Sequence, residues 1–499
     1  MPSRFAVLRD PPLHSQTFAD LVAAGYNRIP LVKVLHCPAH TAWSDIWDDT
    51  TLTEQIKVFL ESRSSREDGR YSIAAWQPQL IAYAQHNQFE LRGQPLSSTA
   101  LRQQLTAELA VQHPPPSPSY DFFTGGYMGM FAYEAYGFFH PEWQAPRHCG
   151  EAPQLALYQV DHCLVLDHQR SELMLISCGN NYHAQQTKLQ EMEASLQQSA
   201  TSTELHPPAC TEPLPPASHP SYRSSFTKDA YLAGVHQVQE YIRAGETYQT
   251  NLTQILEVKT DIPPLSYHKQ LQQLHPAPFA GFLTCKGYHL ISASPERLLA
   301  CTRSGQLTMR PIAGTRRRGR DHDEDARLAQ ELSSCPKERA EHAMLVDLVR
   351  NDMARISTTG SVSVSRQFET ILYSHVMHLE SVVHSQKRRK VDPFTALASV
   401  FPGGTISGVP KKRTVEILQQ LEPVARGAYT GSLGYIDYDG AFDFNICIRS
   451  VSAQQHTYRI GVGAGIVIDS IPEREHMETM NKARGQLQAM SSRAREEQR

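Results

Sequence analysis

Apolar and polar positions alternate along this chain with two different periods, and the change between them divides it. In the N-terminal part, short strand-like runs such as Tyr71-Ser-Ile-Ala-Ala75 and Cys163-Leu-Val-Leu166 alternate with turn signals. The glycines of Gly125-Gly-Tyr-Met-Gly129 predict a hairpin. From Ser195 to Ser225 the composition turns to Ser, Thr and Pro without apolar periodicity, as expected of a linker or a long surface crossing. Beyond it both periods occur. The 3.6-residue period predicts helices over 227–243, 336–350, 411–421 and 472–490. Alternation predicts strands over His289–Ala293, Thr308–Pro311, Ser432–Tyr438, Phe444–Val451 and Tyr458–Val462. No internal repeat is visible. The pattern predicts an α+β chain with an N-terminal domain at 1–194, a linker at 195–225 and a C-terminal domain at 226–495.

Composition narrows the partners. With 499 residues the chain has ample capacity to form a core. Its formal charge of −3, from 48 basic and 51 acidic residues, gives no sign of nucleic acid as a bulk partner. Two basic runs, Arg316–Arg318 and Lys387–Lys390, read as solvated loops. Nine scattered cysteines without a C-x-x-C pair suit a reducing cytoplasm. The opening residues lack a signal-peptide apolar stretch, and no apolar run is long enough to span a bilayer, so a membrane location is not expected.

Candidate chemistry gathers toward the C-terminus. A glycine-rich turn runs from Phe401 to Lys411, and Arg449 ends a largely apolar run. A second predicted turn, Gly463-Ala464-Gly465, leads to a helix carrying Glu475, Glu478 and Lys482 on one face. Another helix begins at Pro336 and places Glu338 and Glu341 three residues apart, on the side that also carries Leu345 and Leu348. Backbone N–H groups, an arginine fork and carboxylates from two helices suit a small, multiply carboxylated ligand held with a divalent cation. Mg²⁺ takes one or two protein carboxylates and completes its shell with water and substrate oxygens. Ordinary helix ion pairing, as between Glu478 and Lys482, explains the same spacing. Glu296 leaves a strand through Ser-Pro and reads either as a general acid or as a turn residue. His375 and His378 are three apart without a third ligand pattern, so zinc is disfavoured and a buried hydrogen-bonding histidine stays open. Thr405 either meets a ligand carboxylate or bonds its own turn. Arg449 needs an anionic partner, from a substrate or from an internal Asp.

In chain order, the segments PERLL, RPIAGTR, KERAEH, LVDLVRND, SHVMHL, FPGGTISG, LEPVARGAYTG, IRS, GAGIVIDS and ETMNKAR resemble those of the chorismate-utilising enzymes. The likeness covers most of residues 225–490, and a weaker one runs through GYNRIPL, FLES, GRYSI and GGYMGMFAYE. It implies large antiparallel β-sheets flanked by helices, a chorismate site between them and a requirement for Mg²⁺. Glu341 and Glu478 then match the metal ligands, with Glu338 and Glu475 beside them. Glu296 matches the acid that helps the C4 hydroxyl leave, and His378 a group near the ring. Thr405, Tyr429, Arg449, the Gly463–Gly465 backbone with Ala464, and Lys482 match the carboxylate-binding wall.

The resemblance also bears on the reaction. Where Gln249 stands, the water-using branches of this family carry a lysine base; glutamine cannot activate water in that way, which favours amination. Tyr248–Leu252, Ala277–Phe279, Pro295–Arg297 and Gly403 resemble the aminodeoxychorismate branch. Ala313 instead occupies a place where many members of that branch carry a nucleophilic lysine, and it resembles the anthranilate branch. The core motifs point to the aminodeoxychorismate branch. A regulatory tryptophan pocket found in relatives would involve Ser62, Pro278 and Phe279, but Phe279 replaces a tyrosine, which disfavours tryptophan feedback. The chain has no Gly-x-Cys-x-Gly nucleophile turn, so ammonia is expected from a separate glutamine amidotransferase subunit. A non-catalytic ligand sensor is disfavoured because Glu296, Glu341, Glu478 and Lys482 are all present.

Overall fold

Hairpins between consecutive strands are joined by pairings between strands far apart in sequence to build this molecule. The computed structural model describes residues 6–9, 14–37, 43–46, 54–62, 69–116, 120–143, 145–200, 220–372 and 376–491. Among them are a 13-stranded and a 12-stranded sheet, each drawing strands from both halves of the chain. In the larger sheet, Val58–Glu61 pairs antiparallel with Phe279–Cys285. In the smaller, Gly126–Phe131 pairs antiparallel with Ser432–Asp437. The two parts of the chain therefore share both sheets.

The layers follow from where the apolar residues fall. Val32, Val34, Met128, Met130, Leu283, Leu290 and Leu433 form one core drawn from both sheets. Helices Ser15–Ala23, Tyr182–Ala200, Pro264–Leu274 and Pro472–Ser491 contribute to a second core with the larger sheet. Helices Ser98–Ala110, Pro336–Ala354 and Pro393–Val400 contribute to a third core with the smaller sheet. Burying each large aliphatic side chain contributes about 1.5–3 kcal/mol, which favours closing all three cores together. No described helix is long and apolar enough to cross a membrane.

Several expectations from periodicity are corrected. Gly463–Gly465 is not a turn but the end of the long strand Thr457–Ile466. The expected strand Phe444–Val451 is two, Phe442–Asn445 and Ser450–Gln454, separated where Arg449 adopts φ 54°. Gly125 and Gly126, both at positive φ, lead into a strand lying between Ser432–Asp437 and Leu155–Val160 rather than forming a hairpin. The expected linker is partly structured: a helix runs to Ala200, and Tyr222–Ser224 pairs with the strand Gln249–Lys259. Residues 201–219 lie outside the described residues, as does His375. The run at Arg316–Arg318 is no solvated loop. Arg316 pairs with Glu331 and Glu338, and Arg318 with Asp325.

Candidate active site

The acid comes first. Glu296 follows the strand Tyr288–Ser294, and its backbone is fixed by Ser294 and by the amide of Ile446, which donates to its carbonyl at 3.0 Å. Its carboxyl is buried, and that burial pushes its pKa up to about 8. The hydroxyl of Thr405 donates to Glu296 Oε1 at 3.2 Å and works in the opposite direction, favouring the charged form. Glu380, on the strand Val376–Gln386, adds to the upward push. Thr405 thus meets the acid, not only its own turn.

His378 lies on the same strand as Glu380, and its Nδ1 is 3.0 Å from the carbonyl of Gly314. A carbonyl only accepts, so Nδ1 carries the proton and Nε2 is left as the acceptor. Burial pulls the imidazole pKa below its usual value and keeps the ring neutral; the charge of Arg449 adds to this. Ala313 is on the adjacent strand Ile312–Arg317, one residue before that carbonyl.

The opposite wall belongs to the larger sheet. Arg449 Nη1 donates to the carbonyl of Lys482 at 2.6 Å, and burial weighs against its charge while Tyr429 and Glu478 support it. Lys482 Nζ donates to the carbonyl of Gly463 at 2.9 Å and pairs with Glu478 at 2.8 Å. The i,i+4 ion pair expected from spacing is therefore present as well. Glycine is needed here for close approach. A Cβ on Gly461 would lie 2.1 Å from the Tyr429 ring, and one on Gly465 would lie 2.7 Å from Gln249 Nε2. Tyr429 and Gln249 can pack against the strand only because it carries no side chains there.

The carboxylates divide between the two walls. Helix Pro336–Ala354 packs on the strands Ile312–Arg317 and Val376–Gln386, and helix Pro472–Ser491 packs on Thr457–Ile466. Glu338 turns to Arg316 at 3.1 Å. Glu341, Glu475 and Glu478 supply hard oxygen donors that suit Mg²⁺ or Ca²⁺ rather than a thiophilic metal. Among the described residues, no group of three or more His, Cys, Asp or Glu side chains is close enough to hold a metal without other ligands.

Periodicity gave no hint of a buried network behind this wall. Arg426 and Glu422 pair at 2.7 Å beneath the strand Gln249–Lys259. Lys411 and Asp352 pair at 2.6 Å, joining the glycine turn to the end of helix Pro336–Ala354. The i,i+4 spacing of Glu422 and Arg426 was visible but matches an ordinary surface pair. A separate cavity of about 780 Å³ between the sheets is lined by Ser62, Pro278, Phe279, Arg297 and Tyr435 among others. Ser62 Oγ has no hydrogen-bond partner among the described residues, and Arg297 lies over the Phe279 ring at 4.9 Å.

Comparison with known proteins identifies the family and the fold. The model of a family described as chorismate binding enzyme matches residues 55–488. Anthranilate synthase component 1 of Bacillus pumilus is 34% identical over 93% of this chain and 92% of its own length. Aminodeoxychorismate synthase component 1 of Bacillus subtilis is 38% identical over 72% of this chain and 76% of its own. The crystal structure of anthranilate synthase component I from Streptococcus pneumoniae superposes with a TM-score of 0.73, at 28% identity, over 90% of this chain and 99% of that one. The menaquinone-specific isochorismate synthase of Escherichia coli shares the fold, with a TM-score of 0.65 at 17% identity over 95% of this chain and 99% of that one. A buried carboxyl, a buried histidine, and Arg449 and Lys482 with carboxylate-bearing helices packed on both sheets thus stand on a fold common to these proteins, and the chain belongs to the chorismate-binding enzyme family.

Proposed function

We propose that this chain aminates chorismate at C4, releasing the C4 hydroxyl as water and giving 4-amino-4-deoxychorismate. The observation that carries amination with loss of the C4 hydroxyl is Glu296, a buried carboxyl with its pKa pushed up to about 8 and therefore still protonated near neutral pH. As the C4–O bond breaks, Glu296 gives its proton to the departing oxygen, and the nitrogen of ammonia forms the new C–N bond. Thr405 orients the acid. Arg449, Lys482 and the strand around Gly463 suit the substrate carboxylates, while Tyr429 and His378 flank the ring. Glu341, Glu475 and Glu478 would hold Mg²⁺, which when bound offsets the repulsion between a substrate carboxylate and those of the protein. Gln249 at the mouth of the wall supports ammonia rather than activated water as the nucleophile.

A second reading has specific support. Ala313, beside His378, and the greater number of similar relatives named anthranilate synthase favour amination at C2 with loss of pyruvate. Incubation with chorismate, Mg²⁺ and an ammonium salt, with and without aminodeoxychorismate lyase, separates the two. Lyase-dependent 4-aminobenzoate supports C4 amination; anthranilate formed without lyase overturns it. A separate amidotransferase is the proposed ammonia source, so glutamine alone should not sustain turnover by the pure chain. Phe279 supports insensitivity to tryptophan, and a midpoint of thermal unfolding that rises with added tryptophan would overturn that.

A further inference from the structure

All five N–H donors of Arg426 are engaged by the protein. Nε donates to Glu422 Oε2 at 2.9 Å and Nη2 to Glu422 Oε1 at 2.7 Å. The second Nη2 donor reaches the carbonyl of Asn251 at 2.6 Å. Nη1 donates to the carbonyl of Ile406 at 2.9 Å and to Thr430 Oγ1 at 3.2 Å. The guanidinium also lies 4.4 Å from the Tyr133 ring centroid, and its own backbone amide donates to Glu134 at 2.8 Å. Arg426 is 4% exposed and Glu422 8%, so neither is placed to meet a ligand. A cation is costly to bury unless it is paired and fully hydrogen-bonded, and this one is both.

The places it reaches are the three pieces of the wall. Asn251 lies on the strand opposite Gly465 in register, and its amide also donates to the Ile406 carbonyl at 3.0 Å. Ile406 directly follows Thr405, the hydroxyl on the acid. Thr430 directly follows Tyr429. Glu422 in turn accepts the amide of Thr253 at 3.0 Å. One planar fork thus spaces the glycine turn, the strand Gln249–Lys259 and the tyrosine segment, which no lysine can do from a single point charge.

We propose that Arg426, locked by Glu422, is the positioning residue that holds the Ile406 carbonyl and so keeps the Thr405 hydroxyl on Glu296. This rests on the reading of Glu296 as the acid. Among the described residues, the polar and charged groups acting on Glu296 are Thr405 from the turn and Glu380 from the strand Val376–Gln386; Arg297 turns away to Asp443 at 2.7 Å. Thr405 stabilises the ionised carboxylate, so releasing it raises the pKa of the acid further.

The test is the alkaline limb of kcat/KM for chorismate, read with free ammonia held saturating at each pH, in R426K, T405V, the double variant and E296Q. R426K lowers kcat/KM on the order of 10- to 100-fold and moves the limb up by roughly one pH unit, the size of one charge-assisted hydrogen bond. T405V moves it alike, and the double variant moves it no further. A limb unmoved in R426K but moved in T405V overturns the proposal, as does a double variant showing the sum of both shifts. If E296Q keeps the limb, the acid assignment itself fails and takes the proposal with it. Should R426K not accumulate folded, Asn251→Ser decides. It leaves the ion pair intact, removes the other donor to the Ile406 carbonyl, and must move the limb in the same direction.

Discussion

A carboxyl pushed up to about 8 by burial, as in Glu296, has opposite consequences for chemistry and for stability. As an acid it must be protonated, so kcat/KM is expected to fall as pH rises through about 8, and E296Q should lose at least about 100-fold in rate together with that limb. For folding the sign follows from linkage. The folded pKa lies above the unfolded value, so the contribution is fully present below the unfolded pKa and is lost as pH rises through the folded one. Glu134 and Asp437, both buried and pushed up to about 7, add in the same direction. The midpoint of thermal unfolding should therefore fall from about pH 6 to about pH 9, and fall less steeply in E296Q. A midpoint that rises over that range would contradict the burial argument. The role of Glu296 was open in the sequence, because Ser-Pro-Glu marks a turn as readily as an acid; its burial and the Thr405 hydroxyl are what support the proposed role as acid.

At the scale of elements, the glycine positions and the joints between helices set the geometry. Gly461→Ala would force a methyl to within 2.1 Å of the Tyr429 ring, so the tyrosine must move, and KM for chorismate should rise on the order of tenfold. Isothermal titration with chorismate checks this. Asp352→Asn leaves Lys411 charged and buried without its anionic partner, and should cost about 3–5 kcal/mol in denaturant unfolding. Glu341→Ala and Glu478→Ala should each abolish Mg²⁺-dependent turnover, and wild-type-like activity in either would remove it from the metal site. The long helices were legible because their apolar stripes persist for several turns: Lys228–Arg243 and Lys411–Leu421 fall within a residue of the periodic segments. The Gly463–Gly465 error arose because glycine signals turns in general, whereas here it lets side chains from the next strand approach. The break at Arg449 was invisible because nothing in Ile-Cys-Ile-Arg-Ser announces a positive φ.

At the scale of the molecule, the two sheets tie the halves of the chain into one cooperative body. Unfolding should give a single calorimetric transition rather than one for each half, and two resolved transitions would contradict the shared sheets. No local pattern in the sequence announces such pairing, since alternation shows that a strand exists but not which partner it takes. The seam also bears on synthesis. Thr124 and Asp437, which meet beside the Gly126–Phe131 strand, are 313 residues apart in the chain. At ribosomal rates of about 5–20 residues per second, the first partner waits roughly 15–60 s for the second. Through that interval the emerging N-terminal half carries open sheet edges at Val58–Glu61 and Gly126–Phe131 with apolar faces behind them. Edges of that kind invite pairing with other chains, so the yield of folded enzyme should depend on translation speed and on chaperones that shield nascent strands.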